Sequence, residues 1–140
     1  MTWTIEERIA FAKADGWNYI EIAYWIPGHN HPFYADGEFM LKEITKGCRV
    51  ESIKGIPPNP IVGERREIPL YNTIDEIARV EEKFITDNIK PDVIPPRSKG
   101  GRCIVRWFKD DIIYLAGCRD KSELIARGRA FLELLEAKNA

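Results

Sequence analysis

The sequence predicts an α+β fold, a single-domain α/β/α sandwich with three helices packed on a mainly antiparallel sheet. Three observations lead there. A Thr or Asp followed three residues later by Glu occurs at Thr4 and Glu7, Thr73 and Glu76, and Asp120 and Glu123, each before an amphipathic stretch, which is the pattern of a capping box opening a helix. Runs rich in aromatic and β-branched residues lie between those stretches. The resulting order is helix, strand, loop-rich insert, helix, hairpin, helix, and no segment repeats.

The first helix is expected to run from Thr4 to about Asp15, with Ile5, Ile9 and Ala12 on one stripe and Gly16 closing its C-terminus in the left-handed conformation. Residues 17–26, WNYIEIAYWI, carry Glu21 as their only charge and read as a central strand buried on much of both faces. Residues 38–44 and 48–53 suggest a second hairpin about Thr45-Lys46-Gly47, and a short helix ending at Gly47 fits the first half equally well. The second helix follows Thr73 with Ile74, Ile77, Ala78 and Phe84 facing the core. Residues 103–108 and 111–116 flank Lys109-Asp110 and form the expected antiparallel hairpin. The last helix, about 121–137, presents Leu124, Phe131, Leu132 and Leu135, with Gly128 on the same face allowing close approach to a sheet. Prolines and glycines mark residues 27–37, 55–69 and 91–101 as irregular, so the domain, residues 1–140, carries a loop-rich insert at about 27–67.

Composition narrows the function classes. With 44% hydrophobic and 31% charged residues the chain has the make-up of an ordinary globular protein, and no tract is apolar enough to span a bilayer. Its opening residues read as neither a secretory signal nor an anchor, which points to the cytoplasm and to no membrane partner. A net charge of −1 argues against a general nucleic-acid coat, while leaving room for a local basic patch. The three cysteines, Cys48, Cys103 and Cys118, are odd in number and widely spaced, as expected of reduced and mostly buried thiols.

Few residues suggest chemistry. His29 and His31 form an H-x-H, but the nearest cysteine is far along the chain, so a solvated loop is the simpler reading and no metal or cofactor is expected. Ser is scarce and both histidines sit on one loop, so Cys48, Cys103 or Cys118 paired with either His is the nucleophilic arrangement left open, and apolar neighbours such as Ile104 and Val105 favour an inert thiol. The carboxylate pairs Glu6-Glu7, Glu81-Glu82 and Asp110-Asp111 are sequence neighbours, which on a helix do not share a face, so they read as solvated charges. The stretch 95–106, PPRSKGGRCIVR, has more texture. Arg97, Lys99 and Arg102 flank Gly100-Gly101, whose amides would be free to approach an anion. Arg65 and Arg66 are second contributors to such a ligand site. Phe33 and Tyr34, on the loop GHNHPFYADG, are the expected aromatic contacts for a protein partner.

Residues 55–84, GIPPNPIVGERREIPLYNTIDEIARVEEKF, resemble the phage ABA-sandwich family of small tailed-phage and prophage proteins, through Ile68, Pro69 and Tyr71 and the helix after them. Residues 15–17, DGW, and 118–136 are similar to that family's opening and closing elements, whereas residues 27–50 and the Gly-Gly loop have no counterpart in it. The resemblance implies an α-β-α layered fold and a viral or prophage origin, and transfers no catalytic residue and no cofactor. It implies no activity, and the expectation is a non-enzymatic phage accessory protein that acts by binding either a host protein or a small phosphate-bearing ligand, directed at host defence or physiology. The alternatives are a sponge for a nucleotide-derived defence signal, held as a small phosphate-bearing ligand by the Gly-Gly loop, and a small hydrolase using Cys or His. Self-association as a homo-oligomer is compatible with each.

Overall fold

The computed structural model describes residues 2–36, 47–59 and 63–139. Among them the protein is α+β, with three helices and seven strands in two antiparallel sheets. The chain divides into two compact units, Trp3–Leu70 and the part from Tyr71 onward. The strands are therefore shared between a four-stranded and a three-stranded sheet rather than joined in one.

The first unit opens with α1 (Ile5–Ala14), whose capping box is complete: the Glu7 N–H donates to the Thr4 hydroxyl at 3.1 Å and the Thr4 N–H donates to the Glu7 carboxylate at 2.9 Å. Its far end closes as a Schellman motif, with Gly16 at φ 96° and the Trp17 N–H donating to the Ala12 carbonyl at 2.9 Å. The helix buries Ile9, Phe11 and Ala12 and also Arg8, while Ile5 is half-buried. The Arg8 side chain donates to the carbonyls of Pro69, at 2.8 Å, and Ile68, and so ties residues 67–69 to α1. Glu67 lies 3.5 Å from the same guanidinium and accepts from the Ile53 N–H at 3.2 Å.

Strand β1 (Asn18–Trp25) is interior, in the order β2-β1-β3-β4, and its consecutive buried residues Ile22, Ala23 and Tyr24 are the sign of a strand covered on both faces. Strand β2 (Phe33–Asp36) lies in residues expected to be loop; four alternating residues after a Pro-rich turn were too few to announce it, and pairing with β1 supplies what propensity does not. Strand β3 (Arg49–Ile56) pairs with β1, and β4 (Arg66–Glu67) completes the sheet. The proposed partner of β3 at 38–44, and the helix that competes with it, lie outside the described residues.

In the second unit, α2 (Ile74–Glu82) starts at Thr73, which accepts from the Glu76 N–H at 3.2 Å. The Thr73 hydroxyl itself donates to the Glu76 carboxylate at 3.0 Å. The buried stripe is Ile77, Val80 and Glu81, with Phe84 half-buried beyond the helix end, and Ile74 is exposed. The face is thus turned from the expected one, because a stripe one turn further on brings Phe84 to 5.0 Å from Phe131, edge to face.

Strand β5 (Ile89–Ile94) falls in residues read as irregular because of Pro91; it is an edge strand, where a proline costs no ladder bond. The hairpin is present as β6 (Cys103–Lys109) and β7 (Ile113–Asp120), its second strand starting two residues later than expected. Asp110 and Asp111 both take positive φ in the turn, which Asp tolerates better than most residues. Helix α3 (Glu123–Asn139) begins two residues after the expected start, because Ser122 is the cap: its hydroxyl accepts from the Ile125 N–H at 3.3 Å, and Asp120 instead accepts from the Ser122 N–H at 2.9 Å. Helix α3 packs on β6 and β7, burying Ala126, Gly128, Ala130, Phe131 and Leu134, with Leu124, Leu132 and Leu135 half-buried.

Candidate functional site

Pairing in the three-stranded sheet places one residue of each strand side by side. Trp107 lies 6.1 Å from Phe131 of α3, so Cys103, Val105 and Trp107 face the helix and Ile104, Arg106 and Phe108 face away from it. Register then fixes the rest of the open face as three rows: Lys90, Phe108 and Tyr114; Asp92, Arg106 and Gly117; Ile94, Ile104 and Arg119. A shift between Trp107 and Phe108 adds an extra residue to β7, and this bulge is what turns Tyr114 to the open side opposite Phe108.

The centre of that face is an aromatic and guanidinium cluster. The Phe108 and Tyr114 rings are 6.2 Å apart, and the Arg106 guanidinium sits 5.6 Å over the Phe108 ring. A Cβ on Gly117 would stand 2.8 Å from the Tyr114 hydroxyl, so the absence of a side chain there lets the tyrosine lie along the sheet. Arg106 approaches Asp92 at 3.9 Å, while its Nε is buried without a protein partner. Tyr114 is 55% exposed, and Lys90, Asp92 and Arg119 are exposed beside it.

The predicted Gly-Gly loop joins β5 to β6 at the Ile94, Ile104 and Arg119 end of this face. Arg97, Lys99, Gly100 and Arg102 are exposed there. Its glycines serve a turn before they serve any ligand: Gly100 has φ 82°, and the Gly101 N–H donates to the Ser98 carbonyl at 2.9 Å. The Gly101 amide, expected to be free for an anion, is therefore engaged, and the loop offers chiefly its cations. Lys90, Arg106, Arg119, Phe108 and Tyr114 were missed in the sequence because only strand register and the bulge bring them together.

The remaining candidates belong to the first unit. Phe33 and Tyr34 lie on β2, not on a loop, paired with Tyr24 and Ala23 of β1. Phe33 is half-buried between His31, at 4.7 Å, and His29, at 5.1 Å, so both imidazoles pack on an aromatic ring. Tyr34 is 65% exposed at a depression of about 360 Å³ lined also by Glu21, Ala23, Glu51, Ser52 and Lys54. Arg65 is held by Glu21 at 3.5 Å and donates from Nε to the Tyr19 carbonyl at 3.3 Å, so its charge is matched locally rather than offered to an anion. Arg66 is exposed on β4 opposite Gly55.

The cysteines and the buried carboxylate Glu81 are structural in character. Cys103 is buried, Cys118 and Cys48 are half-buried, and all three are free. Burial pushes the Cys103 thiol above its ordinary value, with Glu123 acting in the same direction, and burial with nearby Asp120 does the same to Cys118. Glu81, expected to be a solvated charge, is 1% exposed; its Oε1 accepts from Arg127 Nη2 at 2.6 Å and Nε at 3.0 Å, and its Oε2 is buried without a protein partner. Among the described residues no group of three or more His, Cys, Asp or Glu side chains is placed to hold a metal ion, and no helix is long and apolar enough to cross a membrane. No protein-family model, curated protein or solved structure matches this chain, so each surface is read from its own side chains.

Proposed function

We propose that the protein is a non-enzymatic accessory protein, of phage or prophage type, that acts on host defence or host physiology by binding a phosphate-bearing ligand at the open face of its three-stranded sheet. One observation carries this reading. In a chain of net charge −1, Lys90, Arg106 and Arg119 on that face adjoin Arg97, Lys99 and Arg102 in the turn at its end, with Asp92 the one acid in the three rows. Segregated cations of this kind raise the local concentration of anions whatever the net charge. The resemblance of residues 55–84 to the phage ABA-sandwich family is the ground for the phage assignment. Cys103 and Cys118 are poor candidates for nucleophiles, because burial raises both thiols and the thiolate is the reactive form.

A protein partner is the second reading, and the exposed Tyr34 ring beside its depression favours it. Two double variants separate the two: Arg97→Ala with Arg102→Ala, and Phe33→Ala with Tyr34→Ala. Binding of phosphate-bearing ligands, and the phage or host phenotype, should be lost in the first and kept in the second. The opposite pattern would move the function to the first unit and to a protein partner. Full activity in both variants would remove both surfaces from consideration.

A further inference from the structure

We infer that the open face of the β5-β6-β7 sheet binds single-stranded nucleic acid, stacking bases on Tyr114 and Phe108 while the surrounding cations hold the phosphates. The inference rests on the phosphate-binding reading above and adds the bases to it. Phosphate alone would need only the charges. The face also presents two aromatic rings, one of them 55% exposed, 6.2 Å apart on neighbouring strands, with a guanidinium over the second. Rings and guanidinium planes set among cations are what unstacked bases require, since every base has a π-face and a phosphate on either side.

The geometry favours a single strand over a duplex. Three strands and three rows make a platform about 10 Å wide and about 14 Å long, enough for two or three unstacked nucleotides but with no helix or ribbon to enter a groove. The bulge in β7 and Gly117 both act on the same ring: the first turns Tyr114 to this side, and the second leaves the space in which it lies along the sheet. Arg106 is poised similarly, with a buried Nε that has no protein partner and a guanidinium only loosely held by Asp92 at 3.9 Å. Arg97, Lys99 and Arg102 continue the charged track past the last row, along the path a backbone would take on leaving the platform. The near-neutral total charge argues against a general coat, and the attraction comes from the cations gathered on this face and its turn.

The test uses the full chain and fluorescence anisotropy with four labelled probes: a mixed-sequence single-stranded 12-mer, its duplex, an abasic 12-mer with the same phosphates and no bases, and a mononucleotide. The single strand should bind at least about tenfold more tightly than the abasic strand and the mononucleotide, and more tightly than the duplex. Tyr114→Ala should weaken it roughly tenfold, with Tyr114→Phe close to the parent, since a phenyl ring stacks as a tyrosine does. Tyr114 is exposed, so its removal leaves the fold intact, which a circular-dichroism melt verifies. Arg97→Ala with Arg102→Ala should lower the salt slope of log K by about 0.7 for each phosphate that is no longer neutralised. Equal affinity for the based and abasic strands, or no effect of Tyr114→Ala, would sink base stacking while leaving phosphate binding in place. A duplex bound as tightly as the single strand would also overturn the inference. Failure of every probe to bind would end both readings together.

Discussion

Phe131 and Glu81 show how much single side chains contribute in the second unit. Phe131 is fully buried against Phe84 and Trp107, so Phe131→Ala removes a large ring from a packed core and should cost about 3–5 kcal/mol in a urea melt. A change within the error of the melt would mean that the ring's neighbours collapse into its place. Glu81 behaves differently, because burial raises its carboxyl above the ordinary 4.5 and Arg127 only partly offsets that. Its native pKa lies above the unfolded one, so the native state holds a proton that the unfolded chain releases first. The stabilisation is complete below about 4.5 and is lost as pH rises through the native value. Stability measured from pH 4.5 upward should therefore fall more steeply in the parent than in Glu81→Gln. Parallel slopes would show that the Arg127 pair cancels the burial cost.

At the scale of elements, the sequence was legible where local chemistry decides. Thr4 and Glu7 form the complete box they advertise, Gly16 ends its helix at positive φ, and the hairpin between Cys103 and Asp120 follows from two apolar runs and a polar turn. It was illegible where a neighbour decides. Pro91 hid β5 because an edge position, which only pairing defines, is what makes a proline acceptable in a strand. Asp120 looked like the cap of α3, yet Ser122 holds that place, and Ser122→Ala should lower stability by about 1 kcal/mol by removing the acceptor of the Ile125 N–H. The site followed the same division. Arg97, Lys99 and Arg102 could be read from their run, whereas Tyr114 joins Phe108 only through the bulge. Gly117 makes that dependence measurable: a Cβ there would meet the Val105 carbonyl at 2.9 Å as well as the tyrosine. Gly117→Ala should cost about 1–3 kcal/mol and displace the Tyr114 ring from the sheet. A shift in the Tyr114 ring resonances by NMR would register the displacement, and an unmoved ring would show that the glycine does not set its place.

For the whole molecule the informative quantity is the distribution of charge rather than its sum. A pI of about 6.2 implies a slight negative charge at pH 7.5, and on net charge alone the protein would pass through a cation exchanger. Fields near a surface are set by groups within about 10 Å at moderate salt, so a resin senses the nearest patch and not the total. Lys90, Arg106 and Arg119, with Arg97, Lys99 and Arg102 beyond them, outnumber Asp92, the one acid in the three rows. Arg65 belongs to a different regime, since Glu21 neutralises it at 3.5 Å. The protein should accordingly be retained on a sulfonate or heparin column at pH 7.5 and about 0.1 M salt. Arg97→Ala with Arg102→Ala should elute at clearly lower salt, while Arg65→Ala should elute closer to the parent, because the Arg65 charge is already matched by Glu21 at 3.5 Å. Passage of the parent protein straight through the column would mean that its acids screen the patch, and the phosphate-binding face would lose its electrostatic basis.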